Sequence, residues 1–128
     1  MRLLVDTHIL IWQAQDSNRM TEQTRDVLQN PRNELVFSVV SLWEIAVKNG
    51  KSRGEFAVDP LALRTGLIEF GYAELSIQAE HILEVAEPQP LHNDPFDRLL
   101  LAQARVEGLT LLTVDSAVLP YGYPVRGA

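Results

Sequence analysis

The stretch DPFDRLLLAQARVEGLTLLTVD, residues 94–115, joins a helical pattern to a short apolar run through one glycine. Asp94 is a good N-cap, Pro95 suits the first helical position, and Asp97 falls at the positive end of the helix dipole. The pattern predicts a helix over Pro95–Glu107 closed by Gly108. Residues 110–114 (TLLTV) then read as a strand without polar alternation, ending at Asp115. A strand that is apolar on both faces has to be covered on both, which is the condition of a parallel sheet between helices.

The same kind of unit recurs outward from this stretch. Arg2–Val5 reads as a short buried strand ending at Asp6, followed by a helix over residues 8–14. Thr21 leads a second helix over Glu22–Gln29. Glu34–Ser38 (ELVFS) is β-prone and follows Asn-Pro-Arg-Asn, and residues 41–49 read as a helix closed by Gly50. Asp59 and Pro60 open a helix that runs through Phe70 and stops at Gly71. Residues 72–75 form a short strand, Ser76 is expected to cap a helix reaching about Ala86, and residues 124–126 supply a last edge strand. No repeat, low-complexity tract or linker divides the chain. The expectation is one domain over residues 1–128, an α/β sandwich with a mostly parallel central sheet.

Composition narrows the function classes. The chain has no cysteine, so disulfide frameworks and thiolate metal sites are excluded. The apolar run before Asp6 is too short for a secretory signal, and no window approaches the roughly 18 apolar residues of a membrane span. A cytoplasmic location is expected, with no membrane partner. The net charge of −6 runs against a nucleic-acid binder with a basic surface. A metal-loaded acidic site offsets part of that charge, and a basic protein partner suits it equally. Neither a GxGxxG loop nor a P-loop is present.

In parallel α/β sheets, ligands bind outside the carboxyl ends of the strands. Asp6 and Asp115 directly follow strands, and Glu44 and Asp97 are expected in the first turns of helices. Each has an ordinary structural reading on its own. Ser41-Leu42-Trp43-Glu44 is a capping box, Asp97 suits the helix dipole, and Asp6 and Asp115 are turn or cap residues. Gathered at one edge, however, they repel: two unit charges about 4 Å apart cost roughly 4 kcal/mol at an effective dielectric near 20. Such a group takes up protons or binds a cation. All-oxygen ligands without sulfur favour Mg²⁺ or Mn²⁺. Ions so held align a phosphodiester and activate water without a nucleophilic side chain. His8, His81 and His92 are too scattered for a metal motif, and Trp12, Trp43 and Phe96 fall on helical faces expected in the core. The basic run from Lys48 to Arg53 is either a phosphate-holding patch or a solvated loop.

With LLVDTHILIW, SVVSLWEIAVK, HNDPFDRLLLAQA and LLTVD in this order, the chain resembles the PIN-domain nucleases, most closely the VapC-type toxins of toxin–antitoxin systems. The resemblance implies a PIN-like three-layer sandwich and a Mg²⁺- or Mn²⁺-dependent endoribonuclease. It matches Asp6, Glu44, Asp97 and Asp115 to the family's acidic metal positions, and Thr7, Ser38 and Thr113 to hydroxyl residues beside them. Asp94 matches a helix cap instead. The resemblance further implies an RNA substrate, a homodimer, and a VapB-like antitoxin whose tail occupies the acidic site. Other classes fit less well. A phosphatase built on Asp6 wants a second acid where His8 stands, and a receiver domain wants a late lysine, whereas none follows Lys51. A catalytically inert PIN-like metal- or RNA-binding module typically lacks one of the acids.

Overall fold

The computed structural model describes residues 1–49, 57–86 and 94–128. Among these residues, strand β1 (Arg2–Val5) lies at the centre of a five-stranded sheet, with β2 (Glu34–Ser38) and then β3 (Ala73–Leu75) on one side. On its other side lie β4 (Thr110–Thr113) and β5 (Val125–Gly127). Every pairing is parallel; Leu4, for example, faces Val36 on β2 and Leu111 on β4. The mostly parallel sheet expected from the sequence is thus parallel throughout the described residues.

Among the described residues six helices cover the sheet: α1 (Thr7–Gln15), α2 (Glu22–Gln29), α3 (Val39–Asn49), α4 (Pro60–Phe70), α5 (Ala79–Val85) and α6 (Pro95–Glu107). Successive residues of each central strand point to opposite faces, which divides the core in two. Leu3, Val5, Phe37 and Leu112 pack with Ile9, Leu10 and Ile11 of α1, Leu28 of α2, and Leu63 and Leu67 of α4. Leu4, Val36 and Leu111 pack on the opposite side with Leu99, Leu100, Leu101 and Ala104 of α6. These are the outer layers of a three-layer α/β sandwich.

Local chemistry sets most element boundaries. The Asp94 carboxylate accepts the Phe96 and Asp97 N–H groups at the start of α6, and Gly108, at φ +68°, closes it. Thr21 and Asp59 cap α2 and α4 through their side-chain oxygens. Three expectations need correction. Helix α3 begins at Val39, not at Ser41, because Ser38 Oγ accepts the Val40 N–H at 3.0 Å. Ser41 therefore lies inside the helix, and the Ser41–Glu44 capping box does not form. Ser76 does not cap α5, which starts at Ala79; there His81 Nδ1 accepts the Gln78 N–H at 2.9 Å, the returning half of a capping box. Trp43, expected in the core, is 49% exposed.

A buried polar cluster ties the second layer together. Ser38 Oγ donates to Gln103 Oε1 at 2.5 Å, and Gln103 Nε2 lies 3.3 Å from both the Ser76 carbonyl and His81 Nδ1. His81 is fully buried, and its Nε2 meets Glu107 Oε2 at 2.8 Å. Since Nδ1 accepts from Gln78, Nε2 carries the proton and donates to Glu107.

Candidate metal centre

The carboxyl edge of the central strands is acidic. Asp6 follows β1 and is buried, because it must turn the chain directly from the middle strand into α1. Its two oxygens are used differently. Oδ1 accepts the Ile9 N–H at 3.0 Å and so caps α1. Oδ2 accepts the Thr113 hydroxyl and, at 3.3 Å, the Val114 N–H. Thr113 is the last residue of the neighbouring strand β4, and its hydroxyl in turn accepts the Asp115 N–H at 3.0 Å. Asp115 is half-buried, and its Oδ1 accepts the Ala117 N–H at 2.8 Å. Burial pushes the Asp6 carboxyl above its ordinary range, against the opposing pull of Thr113, Ile9, His8 and Val114.

A second group of charges stands where α3 meets the start of α6. Glu44 is 2% exposed, in the second turn of α3. Its Oε2 meets the Lys48 ammonium at 2.5 Å, while Oε1 is buried and has no hydrogen-bond partner. Lys48 also lies 3.6 Å from Asp94 Oδ2 and 5.4 Å from the centre of the Phe96 ring. Burial alone lowers the Lys48 ammonium; its hydrogen bond to Glu44 and the charges of Glu44, Asp94 and Asp97 outweigh that and hold it above its ordinary range. Asp97 is thus within electrostatic reach of this group, in the first turn of α6.

The hydroxyl residues distribute unevenly. Thr113 touches Asp6 directly. Thr7 Oγ1 lies 2.8 Å from Ser41 Oγ and links α1 to α3. Ser38 hydrogen-bonds Gln103 and Val40 and belongs to the buried cluster with His81. Of the basic run, Lys48 turns to Glu44 and Asn49 Nδ2 donates to the Val58 carbonyl at 3.0 Å, whereas residues 50–53 lie outside the described residues, as does His92. Lys48 was legible as a basic residue beside Glu44. Its actual partner follows from the Glu-to-Lys spacing of four, which puts the two side chains on one helical face.

Among the described residues, no three carboxylates or imidazoles form a ready-made ligand set. Asp6, Glu44 and Asp115 each face a protein donor: Thr113, Lys48 and the Ala117 N–H. The donor chemistry nevertheless suits a hard cation. All candidate ligands are carboxylate oxygens, and the unpartnered buried oxygen of Glu44 is an unmet demand for positive charge or a donor.

A shallow pocket of about 350 Å³ opens beside Asp115, lined by His8, Trp12, Val114, Asp115 and Ser116. A larger cavity of about 560 Å³ lies at the opposite, amino edge, around Arg2, Glu34 and Ala73. The amino-edge cavity is the larger of the two, whereas the pocket at the carboxyl edge adjoins Asp115.

Comparison with known proteins agrees with this fold. The PIN domain family matches residues 3–119. The chain is 25% identical over 122 residues to the protein named Ribonuclease VapC22 of Mycobacterium tuberculosis, covering 95% of this chain and 93% of that one. Its fold is similar to that of VapBC2 from Rickettsia felis, solved bound to a DNA fragment from its promoter. The TM-score is 0.70 at 15% identity, over 100% of this chain and 99% of that one. A toxin–antitoxin complex from Klebsiella pneumoniae gives a TM-score of 0.69 at 19% identity, over 98% and 96% of the two chains.

Proposed function

The chain belongs to the PIN domain family, and from that premise we propose that it is a metal-dependent endoribonuclease acting as the toxin of a VapBC-type toxin–antitoxin pair. The observation that carries the proposal is an acidic edge with a buried, unpartnered Glu44 oxygen in a chain that matches the family over residues 3–119. Support for the ribonuclease activity comes from the likeness to Ribonuclease VapC22. Support for a VapB-like antitoxin comes from structural neighbours solved as toxin–antitoxin complexes and from the net charge of −6, which complements a basic tail.

In this reading Asp6 and Asp97 are the central ligands of one or two Mg²⁺ or Mn²⁺ ions, and Glu44 and Asp115 complete the site or orient water. Once bound, such an ion lowers the pKa of water and offsets charge on the leaving oxygen. The protein side of the chemistry is positioning. Thr113 fixes the Asp6 carboxylate through its hydroxyl, and the Thr7–Ser41 contact holds α1 against α3. The pocket around His8 and Trp12 offers an aromatic wall for a nucleotide flanking the scissile bond. A homodimer acting in the cytoplasm completes the proposal; among the described residues no helix is long and apolar enough to cross a membrane.

A second reading is an inert PIN-like module that binds metal or RNA and cuts nothing. The ammonium of Lys48 against Glu44 favours it, because it already neutralises a carboxylate that catalysis needs for a metal ion. Cleavage of total RNA by the purified, partner-free chain separates the two. Discrete cuts that require Mg²⁺ or Mn²⁺, disappear with EDTA and are lost in Asp97→Asn are expected. Cleavage that survives EDTA and the substitution refutes the proposal, and absence of any cut by a folded chain that binds Mn²⁺ selects the inert module.

A further inference from the structure

Lys48 has a place in this site that neither the motif pattern nor the proposed ligand set accounts for. It reaches in from the rim, with its side chain 32% exposed, toward a Glu44 side chain that is 3% exposed. The ammonium meets one oxygen of that carboxylate at 2.5 Å and leaves the other buried and unpartnered. It also bridges to the cap of α6 through the 3.6 Å contact with Asp94, and the first-turn charge of Asp97 acts on it as well. One cation, tethered by the chain itself, is thereby shared among three acids from two helices.

We propose that Lys48 is a tethered counter-cation of the acidic edge, which holds Glu44 while the site lacks a divalent ion and competes with that ion for the Glu44 carboxylate. The proposal rests on the metal reading of the site. An ammonium and a divalent cation on one buried carboxylate repel strongly at the low effective dielectric of such a place. Arrival of the ion therefore requires Lys48 to leave Glu44. The four-carbon stem and the partial exposure of Lys48 allow that displacement. Released, the ammonium stays on the same helical face beside the ligands, where it is available to a phosphate of the RNA as a point charge.

The consequence is counter-intuitive for a residue that hydrogen-bonds a metal ligand. If Lys48 only braced Glu44, its loss would weaken metal binding. As a competitor, its loss strengthens it. Mn²⁺ binding to the full-length, partner-free chain is measured by calorimetry for the wild type, Lys48→Met, Lys48→Arg and Asp97→Asn, with thermal unfolding of each to confirm folding. We expect Lys48→Met to bind Mn²⁺ about tenfold more tightly, a change of about 1.4 kcal/mol. Lys48→Arg, which keeps the charge, should stay within about twofold of the wild type, and Asp97→Asn should lose the site. Unchanged or weaker binding in Lys48→Met, with the site still lost in Asp97→Asn, overturns the role of Lys48 and leaves the metal reading standing. Equal tightening in Lys48→Met and Lys48→Arg also overturns it, since charge would then not be the cause. Wild-type chain without Mn²⁺ binding, or binding that Asp97→Asn does not affect, refutes the metal reading and this proposal together.

Discussion

Replacing Thr113 by valine removes one hydroxyl and little else, and its consequences can be worked out in sequence. The Thr113 hydroxyl donates to the buried Asp6 carboxylate and accepts the Asp115 N–H. A hydrogen bond to a charged group contributes about 1.5–3 kcal/mol, and a neutral one about 0.5–1.5 kcal/mol. The extra methyl of valine returns up to about 0.8 kcal/mol of burial. With Asp6 charged, the net loss expected is about 2 kcal/mol, or roughly 6–10 °C in melting temperature for a chain of this size.

The loss should also depend on pH, and its sign is fixed. Burial raises the Asp6 carboxyl above its ordinary 3.8, so the folded chain keeps a proton that the unfolded chain releases. Stability of the metal-free protein therefore falls as pH rises from about 4 through the folded value. Thr113 favours the charged form, so Thr113→Val moves Asp6 further up. The deficit of the variant is then smallest at acidic pH, where Asp6 is protonated in both proteins, and largest above the folded values, where it is charged in both. Urea unfolding of both proteins across that range, with EDTA present, measures it. A deficit below about 0.5 kcal/mol, or one that is constant or larger in acid, would refute the reasoning, because the least expected for a hydrogen bond to a charge exceeds it.

Other consequences are simpler. Asp94→Ala loses the cap on the Phe96 and Asp97 N–H groups and should cost about 1 kcal/mol in denaturant unfolding. It should nevertheless retain metal-dependent RNA cleavage, whereas Asp97→Asn should abolish cleavage and leave stability near that of the wild type. Gln103→Leu strands the buried Ser38 hydroxyl, for a loss of about 1–3 kcal/mol in the same assay. Mn²⁺ should raise the melting temperature more at pH 8 than at pH 5, since the charged Asp6 that burial disfavours is the form a cation needs.

What could be read from the sequence follows the physics of each signal. Helix α6 and strand β4 were legible to within a residue because Asp94, Pro95 and Gly108 act locally on their own backbone. The start of α3 was not. Ser41 and Glu44 have the spacing of a capping box, but Ser38, still in the strand, makes the capping contact three residues earlier. The start of α5 was hidden for a related reason: Gln78 and His81 are unusual capping types, and His81 is held by Gln103 and Glu107 from another helix. Trp43 sits edge-on to Phe96, with ring centres 4.7 Å apart, and is otherwise exposed; helical periodicity does not reveal which face finds a partner. For the site, the sequence showed that Asp6 and Asp115 follow strands and that Glu44 and Asp97 lie on helices, but not the company they keep. That Asp6 pairs with Thr113 and Glu44 with Lys48 depends on side-chain direction, about which spacing says little beyond the i to i+4 relation.

The central claim is that acids from four separate elements share one metal site. Anomalous diffraction from crystals of the partner-free chain equilibrated with Mn²⁺ tests it most directly. Manganese at the carboxyl edge of the sheet, bonded to oxygens of Asp6 and Asp97 with Glu44 and Asp115 beside it, is the predicted result. Manganese bound only elsewhere, or no manganese at this edge in a crystal saturated with the ion, would contradict the account.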